Sequence, residues 1–188
     1  MTYYSGKELA GAFRTVRQNT IQTAQDIPED KYGFAVADGC MTVAQILAHV
    51  AASTNFHYKL HGVDKKSAVS MEDFGAYMAE AQEIQAGLTS KDAIIAALTA
   101  RGEEFASFLE TLTEEQFGEH VGFPAGLQPP SKCRFEMLLG AKEHEMHHRG
   151  QLMVIQRLLG VTPHLTRNRQ AAMAARAAAA AAAGTPAS

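Results

Sequence analysis

The chain has no tryptophan and only two cysteines, Cys40 and Cys133, in 188 residues. One cysteine pair makes no disulfide framework, and its spacing suits no zinc site built on thiolates. A reducing, cytoplasmic setting is therefore expected. No apolar run approaches the ~20 residues that cross a bilayer, so no membrane partner is expected. The opening segment MTYYSGKELAGAFRTVRQ holds no apolar stretch fit for a signal peptide. Acid is missing from one end. All 20 acidic residues precede His147, leaving residues 1–148 with 12 basic against 20 acidic side chains and 149–188 with five arginines and no acid. The basic end reads as solvated charge. An acidic body without a recognisable motif argues against nucleic acid as a partner, and none is expected.

What is present is helical periodicity. Leu9, Phe13, Val16, Thr20 and Ile27 recur at helical spacing between Ser5 and Ile27, before Pro28 stops the pattern. A second helix opens at Thr42, where Thr-Val-Ala-Gln forms a capping box with Gln45, and runs to Gly62. A third begins near Ser90 and carries Ile94, Leu98, Phe105 and Leu109, with Gly102 on its apolar side marking a close approach. The fourth follows Pro129-Pro130 with Ser131 as its cap and ends at Leu159-Gly160. Between the second and third, MEDFGAYMAEAQEIQ predicts a shorter helix capped by Ser70, and no segment alternates enough to predict a strand. The fold class is all-α: a four-helix bundle with an additional short helix in the crossover, over residues 1–166. Residues 167–188 form an Ala-rich, low-complexity tail with little to bury.

The chemistry concentrates in HEMHHRGQL, residues 144–152. Positions four apart share a helix face, so His144 and His148 aim at one point, and Leu152, Ile155 and Leu159 continue that line as an apolar seam. Two buried imidazoles without a partner are costly, and a metal ion relieves the cost by taking neutral imidazole as ligand. A third ligand should come from another helix. His49 lies on the seam Ile46, His49, Ser53, Phe56, Leu60. Alone, such a histidine is more often a hydrogen-bonded core residue; beside a buried H-x-x-x-H the metal reading is preferred. His57 and His61 are also four apart, but the polar stretch FHYKLHG places them in solvent. His120 and His164 read as loop residues. Three neutral imidazoles with an open position suit catalysis, with zinc the default and nickel or iron permitted.

His144-Glu145-x-x-His148 also matches the zinc signature of metalloproteases, but that reading fails. The positions three and six after the second histidine are Gln151 and Val154 rather than glycine and histidine, and no acidic residue follows Glu145. Glu145 is read instead as the helical ion-pair partner of Arg149, with a role in orienting a ligand ring as an alternative.

EHEMHHRGQLMVIQRLLGVTP, preceded by MTVAQILAHVAAS, resembles the DinB-like (YfiT-like) superfamily of damage-inducible four-helix bundles over roughly residues 5–166. The resemblance implies a three-histidine metal site, one ligand on the second helix and two on the last, which here are His49, His144 and His148. It also implies a homodimer. Some relatives resemble thiol-dependent S-transferases, others are isomerases that use such a thiol, and many have no established activity; the implied cofactors are a divalent metal ion and a low-molecular-weight thiol. On this reading the protein is a metal-dependent transferase, or a related hydrolase, acting on small electrophiles in stress response or detoxification. Arg149 and Gln151 are the candidates to position thiol or substrate, although helix packing explains them equally well. The alternative is a non-catalytic bundle, stabilised by metal, that binds a ligand or partner. A cavity reaching the metal would separate the two.

Overall fold

The computed structural model describes residues 4–183. Helix α1 (Gly6–Asp26) starts at a capping box in which Ser5 and Glu8 bond each other's backbone. A short 3-10 turn leads to α2 (Val43–Tyr58), where Thr42 and Gln45 form the expected box. The last turn of α2 widens into a π-helical segment, Lys59–Val63. The crossover holds α3 (Met71–Gly87), capped by Ser70 and Asp73. At 17 residues it is longer than its sequence suggested, and it lies along α2. Then come α4 (Lys91–Glu110), α5 (Glu114–Gly118), strands β1 (His120–Gly122) and β2 (Ser131–Cys133), α6 (Arg134–Leu158) and α7 (His164–Ala183). Helices α1, α2, α4 and α6 make the bundle.

The start of the last bundle helix differs from expectation. Ser131 does not cap it. Residues 131–133 pair antiparallel with 120–122, Val121 opposite Lys132, and the helix begins three residues later, where the Arg134 N–H donates to the Glu119 carbonyl at 2.8 Å. Cys133 thus lies in β2 rather than on the helix. The prolines before it stop any earlier helix, but the long-range pairing decides where the new one starts. The Ala-rich segment is helical from His164, with its first turn tied to the body: Arg167 pairs with Asp26 at 2.7 Å. Beyond it the helix is exposed. No helix among the described residues is long and apolar enough to cross a membrane.

The core is not continuous. One apolar cluster gathers Ile21, Leu47, Leu98, Leu152 and Ile155; a second gathers Leu9, Phe13, Phe105, Leu109 and Leu138. Between them lies a polar layer. Arg17, 4% exposed, forms an ion pair with the fully buried Glu145, its Nε lying 3.0 Å from both carboxylate oxygens. Its Nη1 donates to the Leu98 carbonyl at 2.8 Å and Nη2 to Val50 at 3.4 Å. One guanidinium therefore links all four bundle helices, and its donors are spread over the groups a buried charge needs. Gly102 makes room for it: a Cβ there would stand 2.7 Å from Arg17 Cγ. The close approach read from that glycine is real, and the approaching group is a side chain.

Candidate metal centre

The polar layer fixes the histidines. Val50, which accepts from Arg17, follows His49 on α2; Glu145, which pairs with Arg17, follows His144 on α6. With those two turns pinned to one guanidinium, the rings converge. His144 Nε2 lies 3.1 Å from His49 Nε2 and 3.1 Å from His148 Nε2. The rings stand nearly on edge to one another, with interplanar angles of 71°, 80° and 81°. All three donor atoms lie within 4.8 Å of each other.

Tautomer chemistry shows what this arrangement offers. His148 Nδ1 lies 2.8 Å from Gln151 Oε1, an acceptor, so Nδ1 carries the proton and Nε2 presents a lone pair. Gln151 is held in turn by its amide nitrogen, 3.2 Å from His147 Nε2. Burial lowers the pKa of all three histidines, that of His144 to about 4 with His148, His49 and His147 adding to the shift. For His49 the Gln85 side chain of α3 opposes the shift by hydrogen bonding. Near neutral pH the rings are uncharged, and with the His148 lone pair directed inward the three nitrogens can take up a cation as neutral ligands. An ion about 2.1 Å from each nitrogen would separate neighbouring ligands by about 3.0 Å at a right angle and 3.4 Å at the tetrahedral angle; the observed 3.1 Å lies between the two. The donor set fits a divalent metal.

His49 and His144 also line a cavity of about 770 Å³ bounded by α2, α3, α6 and the segment joining β1 to β2. The family follows from the chain as a whole. Residues 12–152 match the model of the DinB superfamily. The chain belongs to that superfamily. Among its relatives, the uncharacterized protein YjoA of Bacillus subtilis (strain 168) is 26% identical over 155 residues, which span 82% of this chain and 91% of YjoA. The crystal structure of that DinB-like protein superposes with a TM-score of 0.62 at 22% identity, covering 82% of this chain and 93% of that one. YfiT from Bacillus subtilis, described as a probable metal-dependent hydrolase with an unusual four-helix bundle topology, superposes with a TM-score of 0.65 at 16% identity, covering 86% and 91%.

Several side chains lie elsewhere than the superfamily member's sequence suggested. Glu145 pairs with Arg17 instead of Arg149, and at 0% exposure it is closed to any substrate, as a protease base could not be. Arg149 turns towards α1, its Nη1 3.5 Å from the Val16 carbonyl, and does not line the cavity. Gln151 supports His148 and is also outside the lining. His57 and His61 are not in solvent. His61 is buried, accepting at Nδ1 from Arg134 Nη1 at 2.8 Å, and His57 stacks on it at 5.9 Å with its own Nδ1 buried. The crossover and the β1–β2 ribbon cover a helix end that local polarity made look exposed. His120 lies in β1, 3.0 Å from Ser131 Oγ, and His164 opens α7 with Nε2 3.0 Å from Asn19 Oδ1. Arg17 is the residue that sequence reasoning missed. Its signal was its place, four residues after Phe13 and three before Thr20, on the buried stripe of α1.

Proposed function

We propose that the protein is a metal-dependent hydrolase that holds a divalent cation, zinc in the first instance, on His49, His144 and His148 and acts on a small electrophile bound in the adjoining cavity. The observation that carries this reading is that two of the three candidate ligands line an open cavity, which a purely structural metal would not need. The described character of YfiT agrees with it.

A cation in this position supplies Lewis acidity and draws the pKa of a bound nucleophile towards neutrality. The chain does the rest. Gln151 fixes the His148 tautomer, the Arg17–Glu145 pair fixes the pitch of α6 at the ligands, and the apolar walls keep bulk water from the reacting group. A low-molecular-weight thiol in place of water would make the same centre an S-transferase, a role suited to stress response or detoxification. Water is favoured because, among the described residues, the lining offers no unpaired cationic side chain to hold a carboxylate-bearing thiol, and Arg149 faces the opposite way.

The test begins with metal analysis of the protein and its His148→Ala variant, both prepared without a histidine tag. Near-stoichiometric metal lost in the variant, with metal-dependent hydrolysis of p-nitrophenyl acetate, is the expected result. Turnover of 1-chloro-2,4-dinitrobenzene only with an added thiol would replace hydrolase by S-transferase. A folded protein that takes up neither zinc, nickel nor iron would sink the metal-enzyme reading.

A further inference from the structure

The cavity also carries information about what it holds. At the histidine end the lining carries His49, His57, His144, Gln85 and Ser53, whose hydroxyl already donates to the Val50 carbonyl at 2.9 Å; Gln128, exposed, lies on the β1–β2 segment. Between that end and the Lys132–Glu136 pair the walls are mainly carbon: Phe56, Phe74, Met78, Phe123 and Met137. The only charged side chains in the described lining are Lys132, at the end of β2, and Glu136, in the first turn of α6, and they neutralise each other at 2.7 Å. Glu136 lies eight residues before His144 on α6, about 12 Å along the axis, so that pair marks the far end. The mouth is apolar too. Met71, Phe74 and Leu127 line the cavity and are 62%, 44% and 49% exposed, which for side chains of this size marks a surface awaiting an apolar group.

Resting on the hydrolase reading, we infer that the substrate is an uncharged, mainly hydrophobic acyl or aryl compound, with its one polar reactive group at the histidine end and its apolar body running along α6 to the mouth. An anionic body would lose its hydration without gaining an unpaired cation. An apolar one gains with every methylene buried.

The cavity can be read without turnover. Straight-chain hydroxamates anchor a metal by their head group, so acetyl, butyryl, hexanoyl and octanoyl hydroxamates, titrated by calorimetry into the zinc-loaded full chain, report the walls alone. Affinity is expected to rise about fourfold per methylene. A carboxylate-ended hydroxamate of the octanoyl length should bind at least tenfold more weakly than its methyl-ended counterpart. Phe74→Asp, at a half-exposed position, should weaken the octanoyl compound at least tenfold more than the acetyl one, with the acetyl affinity and the unfolding midpoint serving as checks on the fold; Leu127→Asp is the second such variant. A flat series, an equal or tighter carboxylate-ended ligand, or no binding at all overturns the inference. Failure of ester turnover alongside a rising series would defeat the hydrolase reading and leave this one standing.

Discussion

Two pairs of histidines with the same four-residue spacing lie side by side in this bundle, and they are chemically opposite. His144 and His148 meet a third imidazole, His49, across the core. His57 and His61 meet a guanidinium: Arg134, itself held by Glu119 at 2.7 Å, donates to His61. A cation fixed beside His61 repels a metal ion, so the second pair is a neutral packing element. Burial lowers the pKa of both its members, His57 to about 4 with His144 adding to the shift, and His61 to about 3 with His57 and Arg134 adding to it. Spacing brings two rings together; the facing helix decides whether a metal can join them.

The largest effect is expected from removing that facing partnership at the metal centre. His144 stands between the other two ligands, so His144→Ala should reduce bound metal from near one equivalent to near zero. At free metal a thousandfold above Kd, the parent owes about 4 kcal/mol of stability to the ion, and thermal unfolding with and without metal should show that gap vanish in the variant. A variant still stabilised by metal would place the ion elsewhere.

Next is the brace beneath the candidate ligands, which touches their helices rather than their rings. Arg17→Met leaves Glu145 charged and buried, which should cost about 3 kcal/mol in denaturant unfolding. Arg17→Met with Glu145→Met should recover most of that stability, because apolar residues often replace a buried ion pair without loss, yet bind metal more weakly than the parent. Full recovery of both would reduce the pair to packing.

These two regions also show what a sequence discloses. Thr42 with Gln45 and Ser70 at the start of α3 are legible because a cap is settled within four residues. The H-x-x-x-H face and the seam carrying His49 are legible because periodicity alone aligns them. The Arg17–Glu145 bond is not, since 128 residues separate its partners, and a local substitute, Arg149 one turn away, was on offer. The start of α6 and the burial of His57 and His61 failed for one reason. Both depend on the crossover and a three-residue ribbon folding over the end of α2, and tertiary contact of that kind leaves no periodic trace.

Arg134→Leu tests the packing pair. It deprives His61 Nδ1 of a charged donor, a loss of about 2 kcal/mol with metal content unchanged. Acid acts on the same two rings. Unfolded imidazoles take up protons near pH 6.5, whereas His57 and His61 in the fold resist until about 4 and 3. Their stabilising contribution is therefore complete above pH 6.5 and shrinks as pH falls towards those values. Urea midpoints of the metal-free protein should decline from pH 7.5 to 5.5, and less steeply in His57→Phe. A flat profile would mean that the pair is already solvated.

The smallest effect expected is at Gln151, and it bears most closely on what sets the two pairs apart. Its Oε1 holds the His148 proton on Nδ1, leaving Nε2 free for metal. The second pair has the reverse support, with Arg134 donating to His61 Nδ1 and forcing the proton to Nε2. Loss of such a support typically lowers metal affinity by ten- to a hundredfold. Because Gln151 is exposed, water can replace it in part, so Gln151→Ala should weaken metal by about tenfold, roughly 1.4 kcal/mol, in a chelator competition assay. Gln151→Glu should retain or tighten it, since a carboxylate accepts the same proton more strongly. If both substitutions leave affinity unchanged, the tautomer is set by the ion itself, and the contrast between the pairs rests on His49 and Arg134 alone.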